Sequence, residues 1–319
     1  MRIEIWADVV CGWAYIGKRR VERAVEGLDA EVVWRPFRID PTAPARAIPH
    51  EEAMADPMVD EALARCAPGL TPGENRVRMS LIAAEEGFGW RWGAAWRASS
   101  HDAHRLIALA EQHGADQDAV AELVMKAHFI DGLDISDRPV LHRIAAEAGF
   151  PEGAALLDDG AGEERVRDLL LRGKAMGVKT SPTLVIGGRA LAGAQSPEVI
   201  REFALGGGGP ERRLPEEVER FRHAESLLDQ RDPLGALVML GPLFGEHGGD
   251  RNVLMLAGRA YYASAQLGRA RATLERLVEL SPDDAYAHQL LGRTLQRQGR
   301  HDEAAPHLSL AGAMVPDYA

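Results

Sequence analysis

Residues 8–20 read DVVCGWAYIGKRR, and the place of Cys11 in them decides the fold. The run before it, RIEIWADVV (2–10), alternates like a strand, and a helical pattern follows from about Gly12 to Leu28. Cys11 therefore stands at a strand-to-helix junction. A cysteine there faces unpaired backbone N–H groups and the positive end of the helix dipole. Both favour the thiolate and predict a pKa lowered by about one to five units from the free value near 8.5. Three residues on, where a dithiol protein carries its second sulfur, stands Ala14. Three readings stay open: a dithiol redox protein using a distant cysteine, an enzyme using one thiol as nucleophile, or a retired enzyme kept as a scaffold.

A second strand, EVVWRPFRI (31–39), follows the first helix. From about Glu51 to Gly177 the pattern is helical, as in HDAHRLIALAEQHG, DQDAVAELVMKAHF and RPVLHRIAAEAG, with Gly114, Gly149 and Gly177 placed to close helices. Two short strands, PTLVIGG and RALAGA, then meet at Gly187–Gly188, a tight hairpin turn. A last helix opens at Ser196–Pro197, a good N-cap followed by a residue suited to the first helical position. The order predicts a thioredoxin-like α/β core over residues 1–205 with a large all-helical insertion at about 45–177.

Residues 206–209 are four glycines, followed by Pro210 and a charged run. Glycines have nothing to pack and maximal backbone freedom, so 206–215 reads as a linker. Beyond it the sequence repeats: Gly258 and Gly292, Ala270 and Ala304, Leu274 and Leu308, Pro282 and Pro316 each stand 34 residues apart. Ala224, Ala236 and Leu240 mark a weaker unit one period earlier. The period and the small-residue positions resemble the tetratricopeptide repeat (TPR). Residues 216–319 are thus expected to form an all-α TPR-like domain of about three repeats. Such a domain holds a protein partner or a second copy of the chain.

DVVCGWAYIGKRR, WRPF, DAHRL, GVKTSPTLVIGG and LAGAQSPEVI, taken in order, resemble the DsbA family in its FrnE-like branch. That branch is related to 2-hydroxychromene-2-carboxylate isomerase and kappa-class glutathione transferase. The family motif has two cysteines separated by two residues; here it is reduced to CGWA. The resemblance implies that Pro182 is a cis-proline against the active-site sulfur and that Ser181 lies beside Cys11. It also implies that His104 and Arg105 face the thiol site, with Ser100 before them, and that Trp13 lies over its rim. A dithiol oxidase resolves its mixed disulfide with its own second thiol, and Ala14 cannot do this. Cys66 is the other cysteine of the chain, and its plainer role is that of a small apolar residue.

One activated thiol can still add reversibly to an electron-poor double bond, let it rotate and leave, or exchange with a low-molecular-weight thiol. The first expectation is therefore a cis–trans isomerase of an electron-poor conjugated small molecule, free or carrier-bound. The alternatives are a monothiol disulfide oxidoreductase and an inactive scaffold acting through its TPR domain. Cys11 would be the nucleophile and His104 the proton shuttle, since imidazole titrates near neutrality. Substrate contacts are expected from Trp13, Ser100, Arg105, Ser181, Pro182, Trp92 and Trp96, the last two crowding the segment GFGWRWGAAWR with Trp90. His101 and Asp102 are expected to face solvent or cap their helix. Lys18, Arg19 and Arg20 read as a solvated basic face, able to attract a carboxylate.

The chain has 319 residues and a formal net charge of -11, which argues against nucleic acid and anionic membranes as partners. Two cysteines make no disulfide framework and fit a reducing compartment, so the expectation is cytoplasmic. The charged residues of MRIEIWADVV do not fit a signal-peptide core. No long apolar run is present, no histidine–cysteine cluster has metal-ligand spacing, and no glycine run has the setting of a phosphate loop. No cofactor is expected beyond an optional external thiol. The alanine- and arginine-rich composition points to a GC-rich bacterial genome and to secondary metabolism as the setting.

Overall fold

The computed structural model describes residues 1–57, 61, 67–90, 97–206 and 214–318. Cys66, Trp92, Trp96 and most of the expected linker lie outside the described residues. Two compact units divide the chain: Met1–Gly173 with Val178–Arg212, and Arg213–Ala319 with Lys174–Gly177.

In the first unit, β-branched residues and Trp6 build β1 (Arg2–Ala7), buried from Ile3 onward. It pairs in parallel with β2 (Glu31–Pro36), from Arg2 opposite Glu31 to Ala7 opposite Pro36. On its other side β1 pairs antiparallel with β3 (Thr183–Ile186), which turns into β4 (Arg189–Ala192). Gly187 and Gly188 both have positive φ, 55° and 75°, the geometry a two-residue hairpin turn demands. The sheet order is β2-β1-β3-β4, and this is a thioredoxin-like sheet.

Between β1 and β2 runs α1 (Gly12–Val25). The helical block contributes α2 (His50–Met54), α3 (Pro72–Glu85), α4 (His101–Gln112) and α5 (Gln117–Lys126). It continues through a π-turn at Ala127–Asp131 into α6 (Arg138–Glu147), α7 (Glu152–Asp158) and α8 (Glu163–Ala175). Helix α9 (Pro197–Leu205) starts at Ser196, whose side chain accepts the Val199 N–H. α1 packs on α9, while α4 and α5 pack on β2. Tyr15, Phe129 and Phe150 are the largest fully buried side chains of a core that joins the sheet to the block.

The basic run on α1 is not a solvated face. Lys18 is 3 % exposed and paired with Glu22, Asp118 and Glu122. Arg20 and Arg23 both hold Glu86. Apolar contact cannot dock a charged helix face, so these ion pairs fasten α1 to α5 and to the residue after α3. The sequence hid this because, Glu22 apart, the acidic partners are distant: Glu86 lies 63 residues from Arg23 and Asp118 lies 100 from Lys18.

In the second unit, α10 (Glu216–Asp229), α11 (Pro233–Leu240) and the short α12 (Leu243–Glu246) precede two helix pairs. These are α13 (Arg251–Ala263) with α14 (Leu267–Leu280), and α15 (Ala285–Arg297) with α16 (His301–Met314). The 34-residue period has a packing cause. A Cβ at Gly258 would come within 2.7 Å of Leu274, and one at Gly292 within 2.6 Å of Leu308. Asp250 and Asp284, also one period apart, cap α13 and α15. Among the described residues no helix is long and apolar enough to cross a membrane.

Candidate active site

Cys11 is the N-cap of α1, half-buried, and the only cysteine among the described residues. Its N–H donates to the Asp8 carbonyl at 2.9 Å. Its thiol donates to the Ser181 carbonyl at 3.4 Å. The Ser181–Pro182 bond is cis. Ser181 Oγ accepts the Asp8 N–H at 2.9 Å, which stitches this loop to the end of β1. Pro182 lies against Gly17 of α1, 3.0 Å from where a Cβ would stand.

The expected drop in the thiol pKa does not follow. Burial pushes Cys11 up to about 11, and the negative charge of Asp8 adds to the rise. Hydrogen bonds from the Ser181 side chain and from Ala14 and Trp13 pull the other way and fall short. Sequence position supplies the helix terminus but not the loss of water around the sulfur, and that loss is the larger effect. Cys11 rests as a neutral thiol.

Aromatic rings wall the site. A side chain at Gly12 would collide with Trp90 and Met79, so the indole of Trp90 lies directly on the first turn of α1. Trp90 stacks on Phe129 at 5.1 Å and on Phe88 at 6.0 Å. Trp13 is half-buried beneath the Arg78 guanidinium, 5.4 Å from the ring centre.

Just past the end of β1, three residues before Cys11, is a buried group the sequence reading missed. Asp8 is 0 % exposed; one carboxylate oxygen accepts the Ile39 N–H at 2.7 Å and the other lies 3.4 Å from His104 Nε2. His104 donates that Nε2–H to the Phe37 carbonyl at 3.0 Å. It therefore reaches Asp8 and makes no hydrogen bond to the sulfur. His128, from the π-turn, is buried and held near a pKa of about 4, first by burial, against the charges of Asp8 and Asp134. Two signals for these residues were present. Asp8 interrupts an apolar strand end, and His128 continues the buried stripe of Ala121, Val124 and Met125.

Arg105, expected at the substrate, is elsewhere. It is 4 % exposed, donates to the Leu157 and Ala161 carbonyls and pairs with Asp102. It closes the end of α7, because carbonyls left open by a buried helix end need donors. Ser100 is buried at the start of α4, and its carbonyl accepts the His104 N–H. His101 pairs with Glu163 at 2.6 Å and Asp102 also holds Arg138; both are half-buried, and Ser100 is the N-cap in their place.

Comparison with known proteins assigns a family to each of the two units. Residues 2–204 match the profile of the DSBA-like thioredoxin domain, and residues 227–294 that of the tetratricopeptide repeat. An uncharacterised protein of Bacillus subtilis, YwbO, is 23% identical over 210 residues, 63% of this chain and 94% of its own. The crystal structure of a probable DsbA oxidoreductase from Streptomyces coelicolor is 27% identical with a TM-score of 0.55, covering 67% of this chain and 94% of that one. A 2-hydroxychromene-2-carboxylate isomerase structure superposes with a TM-score of 0.47 at 13% identity, covering 65% of this chain and 95% of that one.

Proposed function

Because the chain belongs to the DsbA-like thioredoxin family, a family of thiol-dependent enzymes, we propose that it works through Cys11 alone, as a cis–trans isomerase of an electron-poor conjugated small molecule. One observation carries this reading. Ala14, fully buried, stands where the family motif has its second cysteine, while Cys11 keeps its contact with the Ser181 loop. In the cycle, Cys11 Sγ bonds to the electron-poor carbon and the double-bond electrons move onto the acceptor group. The former double bond rotates. The electrons then return, the C–S bond breaks, and the other geometric isomer leaves. No second thiol and no oxidant are needed. The rings of Trp13 and Trp90 suit a flat apolar ligand at the sulfur.

Burial of the thiol, pushed up to about 11, slows both cycles, since Cys11 must leave as a thiolate in elimination as in exchange. What separates them is Ala14, which leaves the motif without a second thiol to resolve a mixed disulfide. Monothiol exchange with a low-molecular-weight thiol is the second reading, favoured by the likeness to the Streptomyces coelicolor oxidoreductase. The repeats would dock a protein partner, a carrier or a second copy. A cytoplasmic, bacterial setting in secondary metabolism completes the proposal.

The test follows conversion of a maleate diester to the fumarate by proton NMR. The wild-type chain is expected to accelerate it, and Cys11→Ala to return it to the background rate. Equal rates in both, with the variant folded, would reject the isomerase.

A further inference from the structure

A single nucleophilic thiol does not by itself choose among unsaturated molecules. We propose that Arg78 makes that choice, by holding a carboxylate of the substrate beside the face of Trp13, so that the substrate class is an unsaturated acid. The inference rests on the isomerase reading and names its substrate.

A short series of contacts joins the sulfur to the arginine. The backbone N–H groups of Trp13 and Ala14 are hydrogen-bonded to the Cys11 sulfur, so Trp13 is anchored at the thiol. Its half-buried ring lies under the Arg78 guanidinium, 5.4 Å from the ring centre. The next residue, Met79, reaches the same turn: its Cε stands 2.7 Å from where a Cβ on Gly12 would lie. Helix α3 is thus seated on the turn that begins at Cys11, with Arg78 at its rim. A guanidinium stacked on an aromatic face keeps its N–H edge free, and that planar fork matches the two oxygens of a carboxylate.

The neighbouring charges leave Arg78 available. On α1, Lys18 is paired with Asp118, Arg19 with Glu122, and Arg20 and Arg23 with Glu86. Glu74, one turn before Arg78 on α3, is turned back onto the Thr71 N–H and hydroxyl in a capping box. Among the described residues no carboxylate pairs with Arg78. Lys179, exposed two residues before Ser181, also has no carboxylate among them, and no ring of the described residues holds its ammonium. An arginine already ordered on a ring loses less freedom on binding than a mobile lysine.

The remainder of the substrate has a place too. Arg78 lines a groove of about 1190 Å³ along α3 with Val77, Leu81 and Ile82. Val77 and Leu81 are each 62 % exposed, apolar side chains one turn apart that suit the hydrocarbon part of a small acid. A carboxylate near the double bond repels the electron-rich sulfur that attacks it, and pairing with the guanidinium lessens that repulsion.

The experiment compares the monomethyl and dimethyl esters of maleic acid as substrates of the full-length chain, followed by proton NMR at pH 7, where the half-ester is an anion. The readout is the ratio of kcat/KM for the half-ester to that for the diester. This ratio should be about 10- to 100-fold lower in Arg78→Gln than in wild type, the amount a hydrogen bond to a charged group supplies. Arg78→Lys keeps the charge without the fork and should recover only part of it. A merely structural role for Arg78 would change both esters alike. An equal ratio in wild type and Arg78→Gln, with both converting the diester, would overturn the carboxylate site and leave the isomerase standing. No conversion of either ester by folded wild type would overturn the isomerase reading, and this inference with it.

Discussion

Glu4 and Asp8 stand four residues apart, one within β1 and one just past its end, and both are buried. Glu4 meets Arg35 at 3.3 Å and Arg172 at 3.2 Å, and Arg35 continues to Glu111 at 2.6 Å. Asp8 meets two backbone N–H groups and an imidazole. A buried charge costs free energy wherever it lies, and at Glu4 the arginines offset that cost. At Asp8, among the described residues, no lysine or arginine does, and its carbonyl holds the Cys11 N–H. The two buried carboxylates thus differ in what holds them: arginines at Glu4, and backbone N–H groups with an imidazole at Asp8.

Removing the counter-ion at the first site should have the largest effect on stability. Arg35→Leu leaves Glu4 with Arg172 alone and Glu111 with Arg2 and Arg165, and should cost about 3 kcal/mol in a urea melt, the low end for breaking a buried pair. A loss below about 1 kcal/mol would erase the contrast, since Glu4 would then be no better paired than Asp8.

Acid should bring the next largest effect. His128 has its pKa lowered from 6.5 to about 4 by burial. The folded state therefore binds fewer protons than the unfolded one between those values, and stability falls as pH drops through that window. The full loss approaches about 3 kcal/mol near pH 4. His128→Phe should flatten that part of the slope in urea melts taken at pH 7, 5 and 4. If wild type instead held or gained stability over this range relative to the variant, His128 would be a cation, and Asp8 would have the counter-ion that Glu4 has.

The smallest effect is expected at Asp8 itself. Asp8→Asn keeps an oxygen for the Ile39 N–H and should change stability by no more than about 1 kcal/mol, even as it alters the reactivity of Cys11. A loss as large as that of Arg35→Leu would make Asp8 a structural residue too.

Much of the fold was legible because local rules set it. Gly187–Gly188 dictates a hairpin, Ser196–Pro197 a helix start, and the 34-residue recurrence of Gly258 and Gly292 the close approach of Leu274 and Leu308. The site was legible at Cys11, Ser181 and Pro182, whose motif fixes their neighbourhood. It was not legible where long-range partners decide. Arg105 matched a site segment but closes α7, and Lys18 looked solvated until Asp118 arrived from a hundred residues away. Likewise the thiol pKa depends on how much water the folded chain removes, which spacing along the chain does not encode.

The most direct measurement of the central claim is the intact mass and peptide map of the chain after exposure to an excess of a small symmetrical disulfide. The account predicts a single mixed disulfide on the Cys11 peptide, stable until an external thiol removes it, and no internal cross-link. A Cys11–Cys66 disulfide formed in its place, with no adduct retained, would mean a dithiol enzyme and contradict it.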